Sequence, residues 1–285
     1  MRLLFTPAPA DDPVRERIAS AHSFLFVPGD RPDRFGKAHA FGADLVIIDL
    51  EDAVAAADKD EARVHAAAWL AQGYRAVLRV NGPGTPWFEA DLAQAARHGS
   101  PVMVPKAEDP AVLAEITSRT AGRCALIALI ETARGVRNAH EVSPAPGVVR
   151  LAFGNVDLAT QLGVAPDDRL ALTYARSQVV LAAAAEGLCP PVDGVTTALR
   201  DTDALAEDLA HARRLGFTGK LCIHPAQVPH VTEEFAPTEE ELTWARAVLD
   251  AGDSVTTVDG QMVDKPVLER AQRLVDRATQ SPIAS

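Results

Sequence analysis

The chain has 285 residues, 47% of them hydrophobic, and a formal charge of -11, a length that suits two ordinary domains or one α/β barrel. The acidic balance, with no basic stripe to collect phosphates, argues against nucleic acid as a partner but leaves room for an anionic small molecule met by a few local arginines. Cys124, Cys189 and Cys222 lie far apart in apolar surroundings, which excludes a disulfide framework or a zinc site and fits buried thiols in a reducing cytoplasm.

Residues 1–21 combine prolines and charges with little periodicity and read as a loosely attached N-terminal extension. Their apolar part is too short for a secretory signal, and no later run approaches the roughly 20 apolar residues of a membrane helix. No membrane association is expected, and the location expected is cytoplasmic. From Ser23 a repeating grammar begins, apolar strand, then charged residue, then helix. Ser23–Val27 ends in Pro28-Gly29-Asp30. Ala43–Ile48 ends in Asp49-Leu50-Glu51-Asp52, with a helix from about Asp58 to Ala71. Ala76–Val80 closes on Asn81-Gly82-Pro83, and Pro101–Val104 on Pro105-Lys106-Ala107-Glu108. The run Cys124–Ile130 has no polar interruption, as expected of a strand buried on both faces, and stops at Glu131. Val148–Phe153 closes on Gly154-Asn155-Val156-Asp157, and a helix follows from about Leu170 to Glu186. Cys189–Gly194 is a weak strand because Pro190 and Pro191 cannot donate to a ladder. Gly219–Ile223 ends at His224-Pro225, and amphipathic segments 88–98, 110–120 and 203–215 lie between strands.

This alternation implies parallel strands with right-handed crossovers and predicts a (β/α)8 TIM barrel over residues 22–236. The rival doubly wound sheet lacks its Gly-x-Gly-x-x-Gly turn here. Past Pro237, Thr238 before Glu239, Glu240 and Glu241 predicts a capped helix to about Ala251. Gly252 to Pro266 shows no core pattern, and a last helix is expected over about Val267–Ala278, so 237–285 is an appendage to the barrel.

In such a barrel the carboxyl ends of the strands converge on one mouth. Here they carry Asp49, Glu51 and Asp52, then Arg79 and Asn81, Lys106 and Glu108, Glu131, Asp157, Asp193 and His224. So acidic a ring calls for a cation, and a hard divalent ion such as Mg2+ takes one or two carboxylates and keeps waters and substrate oxygens. Glu131 and Asp157 are the expected ligand pair; a helix cap or structural ion pair is the competing reading for each. Arg79 can clamp a carboxylate or stabilise an oxyanion, or else pair with Glu51 or Asp52. Lys106 is expected in a salt bridge to an acidic neighbour rather than a Schiff base, and His224 in a structural role. No Gly-x-Ser-x-Gly elbow or Cys/His pairing suggests an acyl-enzyme nucleophile.

Several stretches carry a family resemblance: Ser23-Phe-Leu-Phe-Val-Pro-Gly29, Ile48-Asp-Leu-Glu-Asp-Ala-Val54, Lys59 with Ala62-Arg63, Leu78-Arg-Val-Asn-Gly82, Val104-Pro-Lys-Ala-Glu108 and Ile130-Glu-Thr-Ala-Arg-Gly135. Phe153-Gly154 with Asp157-Leu158, Tyr174-Ala-Arg-Ser177, Gly216-Phe-Thr-Gly-Lys220, Ile223-His-Pro-Ala-Gln227 and Gly260-Gln-Met-Val-Asp264 before Pro266 continue it. In this order, over residues 22 to 275, they resemble the citrate lyase β-subunit-like family, a group that includes malyl-CoA and citramalyl-CoA lyases. The resemblance implies a Mg2+-dependent barrel that makes or breaks a carbon–carbon bond between an acetyl thioester, on CoA or acyl-carrier protein, and a 2-keto acid. It implies that Glu131 and Asp157 hold the metal, that Arg79 stabilises the enolate or orients substrate, and that Glu51 and Asp52 hold metal-bound waters. Asp264 would be the acid/base on a C-terminal helical lid, supplied to a neighbouring subunit of a homotrimer or larger homo-oligomer. A citrate lyase β subunit acting on citryl-acyl carrier protein, a malyl-CoA-type thioesterase and an idle binding protein are the alternatives. The chain departs from the family pattern in three places. His22-Ser23 stands for Arg-Ser, Val156 stands for the Glu of Gly-x-Glu-Asp, and the link from Ala251 to Gly260 is shorter and lacks a Gly-rich run.

Overall fold

In the computed structural model, which describes residues 12–251, 256–258 and 261–280, apolar runs and amphipathic segments become strands and helices in turn. The helix α1 (Pro13–Ser20) leads into β1 (Ser23–Pro28), α2 (Phe35–Ala40), β2 (Leu45–Asp49), α3 (Lys59–Ala71), β3 (Val77–Arg79) and α4 (Phe88–His98). Then come β4 (Val102–Val104), α5 (Pro110–Arg119), β5 (Leu126–Ile130), α6 (Ala133–Arg137), α7 (Ala139–Val142), β6 (Val148–Phe153) and α8 (Asn155–Leu162). The series continues with α9 (Arg169–Ala185), β7 (Val192–Asp193), α10 (Thr202–Leu215), β8 (Gly219–Cys222) and α11 (Gln227–Phe235). Last are α12 (Glu239–Asp250), β9 (Thr256–Val258), β10 (Gln261–Val263) and α13 (Lys265–Gln280).

Strands β1 to β8 close into a barrel in sequence order. Every pairing is parallel, and Ser23 of β1 stands opposite Lys220 of β8 where the sheet closes. Phe24, Ile47, Val77, Met103, Ile127, Leu129, Ala152, Val192 and Leu221 form one buried core within it. All residues of β2, β4 and β5 are buried, the environment that apolar runs without alternation require. Strand β7 is two residues long, as its preceding prolines demand. Asp12, Asp109, Asp168 and Asp201 cap α1, α5, α9 and α10, each accepting a backbone N–H of the first turn.

The described part of residues 1–21 is not loosely attached. Ile18 and Ala21 are buried, and the carbonyls of both accept from the Arg150 Nη1 at 2.8 and 2.6 Å. Arg150 is fully buried, and among the described residues no carboxylate forms an ion pair with it; its Nε donates to Pro190 O at 2.8 Å and its Nη2 to Thr218 Oγ1 at 2.9 Å. Its guanidinium carbon lies 5.3 Å from the centre of the Phe24 ring. One arginine thereby ties α1, β6 and the strands beside it into the amino-terminal floor of the barrel. His22 belongs to the same floor, with Nδ1 2.7 Å from Thr218 O. Asp44 Oδ2 there accepts the N–H groups of His22 and Ser23 at 2.8 and 2.9 Å.

The described residues divide into two compact units between Thr232 and Glu233. In the second, Thr238 and Glu241 form the reciprocal capping box at the start of α12. Ala245, Val248, Val263, Ala271 and Leu274 make its core. Within 252–266, where no core pattern is legible, β9 and β10 pair antiparallel with Met262 opposite Thr257; residues 252–255 and 259–260 of that link, like residues 1–11, lie outside the described residues. No helix among the described residues is long and apolar enough to cross a membrane.

Arg150→Met strands the buried acceptors that the guanidinium serves. Urea unfolding should show a loss of roughly 3 kcal/mol, and Arg150→Lys should recover only part of it because an ammonium lacks the planar fork.

Candidate active site

The mouth is built from strand ends held in register. Val104 is level with Ala128 on the neighbouring strand, so Lys106, two residues on, meets the end of β5 and Glu131. The Lys106 N–H donates to Glu131 Oε1 at 2.9 Å. Glu131 is 4% exposed, and Gly154, at the end of β6, makes room for it. A Cβ on Gly154 would come within 2.4 Å of Glu131 Cβ and 2.8 Å of its Oε2. Asn155 anchors the turn that follows, accepting from Val195 N–H at 2.8 Å and donating to Pro166 O and Val195 O at 3.0 Å. Asp157 then stands in the first turn of α8.

On the other side, Asp49 at the end of β2 is buried and takes Arg79 in a bidentate pair, Nε to Oδ1 at 2.7 Å and Nη2 to Oδ2 at 2.6 Å. The Asp49 carboxylate also accepts the N–H groups of Glu51 and Ala53 at 2.9 and 3.0 Å, which fixes the turn carrying Glu51. Arg79 Nη1 lies 3.3 Å from Glu51 Oε2. Lys106 Nζ is 2.7 Å from Glu51 Oε1, 3.7 Å from Asp157 Oδ2 and 4.0 Å from Asp52 Oδ2. The salt bridge expected of Lys106 is therefore present, and it reaches three carboxylates.

Charge balance follows from these contacts. Burial pushes Glu131 up to about 8, and the neighbouring Asp157 charge adds to the shift against the Lys106 N–H and Arg79. Burial also raises Glu51, although Arg79 and Lys106 work against it. Burial disfavours the Lys106 charge, yet its hydrogen bond to Glu51 and the surrounding carboxylates hold it above its ordinary range. Glu51 Oε2 is buried and has no hydrogen bond among the described residues, only the ion pair to Arg79 Nη1. Burial that raises both Glu51 and Glu131 marks a place short of positive charge, and an oxygen-only donor set suits a hard divalent cation. No group of three or more His, Cys, Asp or Glu side chains among the described residues is gathered to hold a metal unaided. The fit is to an ion that keeps water or substrate oxygens beside Glu131 and Asp157.

Two strand-end residues do not join this field. Asp193 is not a free acid of the mouth: it is 1% exposed, between Arg176 Nε at 2.8 Å and Lys220 Nζ at 3.0 Å. Burial alone would raise it, and those two cations instead hold it below the usual carboxylate range. His224 Nδ1 accepts from the Ala226 N–H at 3.2 Å, a turn-forming role. Asp264 belongs to the second unit, where it precedes α13 and its Oδ1 accepts from Val267 N–H at 3.3 Å. Asp49 was not legible as the partner of Arg79, although its place one residue before the turn is a signal available from strand register. A cavity of about 600 Å³ opens beside this cluster, lined by Glu51, Asp52 and Lys106 and by apolar Pro83, Trp87 and Leu113. Another, of about 380 Å³, lies at the amino-terminal end beside Arg17 and Tyr74 and contains none of these residues.

A parallel barrel with this mouth defines a class, and a family model described as carbon–carbon bond lyases of the TIM-barrel fold matches residues 173–281. The chain belongs to the HpcH/HpaI aldolase/citrate lyase family, whose model matches residues 22–225, and is a carbon–carbon lyase by class. It is 40% identical over 270 residues to a citrate lyase subunit beta-like protein of Mycobacterium tuberculosis, covering 91% of this chain and 96% of that one. It is 35% identical to a (3S)-malyl-CoA thioesterase of Cereibacter sphaeroides over 90% of this chain and 95% of the relative. Among solved structures, CitE of Mycobacterium tuberculosis in complex with magnesium, acetoacetate and coenzyme A superposes with a TM-score of 0.78 at 38% identity, covering 92% of this chain and 99% of that one.

Two outcomes are expected. Between pH 4.5 and 8 the folded chain keeps a proton on Glu131 that the unfolded chain has released, so without divalent cations stability falls as pH rises through that window. Melting in chelator should show this slope, and Glu131→Gln should flatten it. Gly154→Ala displaces Glu131, and calorimetric titration should show Mg2+ binding weakened at least about tenfold, the scale of a disturbed ligand shell.

Proposed function

We propose that the protein is a Mg2+-dependent lyase that cleaves a 3-hydroxyacyl thioester of coenzyme A, of the citramalyl-CoA or malyl-CoA type, to an acetyl thioester and a 2-keto acid. The observation that carries this reading is the under-compensated pair of Glu131 and Asp157 beside Arg79 and Lys106. The magnesium, acetoacetate and coenzyme A bound by the related CitE support it.

Glu131 and Asp157 would hold the ion, which when bound would supply positive charge to the oxygens of the departing keto acid, and Glu51 and Asp52 would hold the waters that complete the site. Arg79, braced by Asp49, contributes positive charge near the thioester. Asp264 delivers a proton to the carbon of the enolate, from a lid formed by residues 237–285 and offered to a neighbouring barrel of residues 22–236. That requires at least two copies of the chain, and the assembly we propose is a cytoplasmic homotrimer or larger. Exclusion of water by such a lid favours cleavage of carbon–carbon over carbon–sulfur bonds. Admission of water would give the malyl-CoA thioesterase reading, which the Cereibacter relative supports, and a carrier-protein thioester would give that of a citrate lyase β subunit.

The test is an assay with Mg2+ on a panel of CoA and carrier-protein thioesters, following keto acid and free thiol separately. Glu131→Ala should abolish the response to Mg2+. Asp264→Ala should lower kcat by about 10²- to 10⁴-fold, the range for a lost general acid, with Mg2+ affinity retained. Unchanged turnover in both variants would remove these roles, and thiol release without keto acid would select the thioesterase.

A further inference from the structure

The two acids expected to hold the metal are placed by different means. Glu131 is held directly: the N–H of Lys106, a residue in the left-handed region at φ +47°, donates to its Oε1 at 2.9 Å. The Asp157 carboxylate has no hydrogen bond among the described residues, only the Lys106 ammonium 3.7 Å away. Asp157 is also the single acid in the first turn of α8, and Gly154 before that helix supplies no side-chain cap. The place of Asp157 is therefore the place of α8, and the side chain that fixes this helix is that of Asn155, its first residue.

Asn155 is buried, and its amide oxygen and both its N–H groups are engaged. The Pro166 carbonyl that it meets lies beyond Gly163, where α8 ends, so one side chain ties the start of the helix to the chain that leaves it. Its other partner, Val195, lies beyond β7, and there the next residue is taken by a second buried amide. Gln227 donates from Nε2 to Thr196 O at 2.9 Å, and its Oε1 accepts the N–H groups of Ile223 and His224 at 3.0 and 3.3 Å. The ends of β6, β7 and β8 are thus laced together by two amides that grip consecutive residues. Gly194 shows how close the fit is. A Cβ there would come within 2.2 Å of Asn155 Oδ1, and its φ is outside the left-handed region, so this glycine answers to the amide and not to a backbone angle.

We infer that Asn155 is a positioning residue for the metal site: its grip on Val195 and Pro166 holds α8 where Asp157 can share an ion with Glu131, and Gln227 secures the Val195–Thr196 segment from the other side. The inference rests on the reading of Glu131 and Asp157 as the metal pair. A carboxylate with hydrogen bonds of its own keeps its direction when its helix shifts. Asp157 has none, so a small rotation of α8 passes undiminished to its oxygens. Partners that orient a metal ligand alter affinity by about 10- to 100-fold. The last two strand ends thereby serve the mouth through their main chain, while Asp193 and His224 stay out of its chemistry.

The experiment titrates Mg2+ calorimetrically into the substrate-free, full-length protein, well below its melting point in chelator, which is recorded for every sample. Asn155→Ala should weaken Mg2+ binding about tenfold or more. Gly194→Ala removes no polar group and only displaces the amide, and it should do the same. Gln227→Ala, a step further from Asp157, should weaken binding by a smaller factor. The double variant Asn155→Ala/Gly194→Ala should bind within about twofold of Asn155→Ala, because the new Cβ then has no amide to displace. Should Asn155→Ala fail to fold, Gly194→Ala and Gln227→Ala carry the same decision. A purely structural role lowers melting and leaves metal affinity alone, so folded variants that bind Mg2+ within about threefold of wild type overturn the inference and leave the metal pair standing. Losses that multiply in the double variant also overturn it, since they make the two residues independent. No Mg2+ binding by wild type overturns the inference and the metal pair together.

Discussion

Like charge crowded at one end of a low-dielectric barrel is the constraint to which the other features of the mouth answer. Two carboxylates about 4 Å apart repel by about 4 kcal/mol at an effective dielectric near 20, and Glu51, Asp52 and Asp157 share the Lys106 ammonium while Glu131 takes only that residue's backbone N–H. Arg79 cannot relieve this field alone, because Asp49 already takes its bidentate edge. A proton on Glu131 or a divalent cation beside it is the remaining remedy. The acidity that would be a defect elsewhere thus becomes an affinity for metal, and the small space left by Gly154 sets where that affinity is expressed.

The two ends of the barrel solve opposite electrostatic problems. At the floor, Arg150 is buried with no carboxylate ion-paired to it among the described residues and is satisfied by carbonyls and a hydroxyl, an arrangement that rigidifies and does no chemistry. At the mouth, anions gather with too few cations. This division explains the departures from the family pattern. His22 replaces an arginine at the floor, where it meets Thr218 and the Asp44 carboxylate and leaves the mouth untouched. Val156, 40% exposed in the first turn of α8, takes one carboxylate away from the neighbourhood of Asp157. The first change lies at the floor and the second beside Asp157.

The order of strands and helices was legible because buried parallel strands must be continuously apolar, and Cys124–Ile130 and Val148–Phe153 announce themselves in that way. Glu131 and Asp157 were legible as strand-end acids by the same logic. Asp193 was misplaced at the mouth because its neutralisers, Arg176 on α9 and Lys220 on β8, reach it through space from 17 and 27 residues away. The floor helix α1 was hidden for a similar reason: what secures it is Arg150, more than a hundred residues later. The β9–β10 hairpin carries too few residues to show alternation. The left-handed turn at Lys106 was out of reach, since neither lysine nor its neighbours announce a positive φ.

That last feature sets a course for drift. Both lysine codons become asparagine codons by a single base change, and asparagine, like glycine, tolerates the left-handed region better than lysine does. At position 106 a single transversion therefore leads toward a backbone more at ease and a mouth with one cation fewer. Selection for an easier backbone would push the chain through that opening, at the cost of the one ammonium that three carboxylates share.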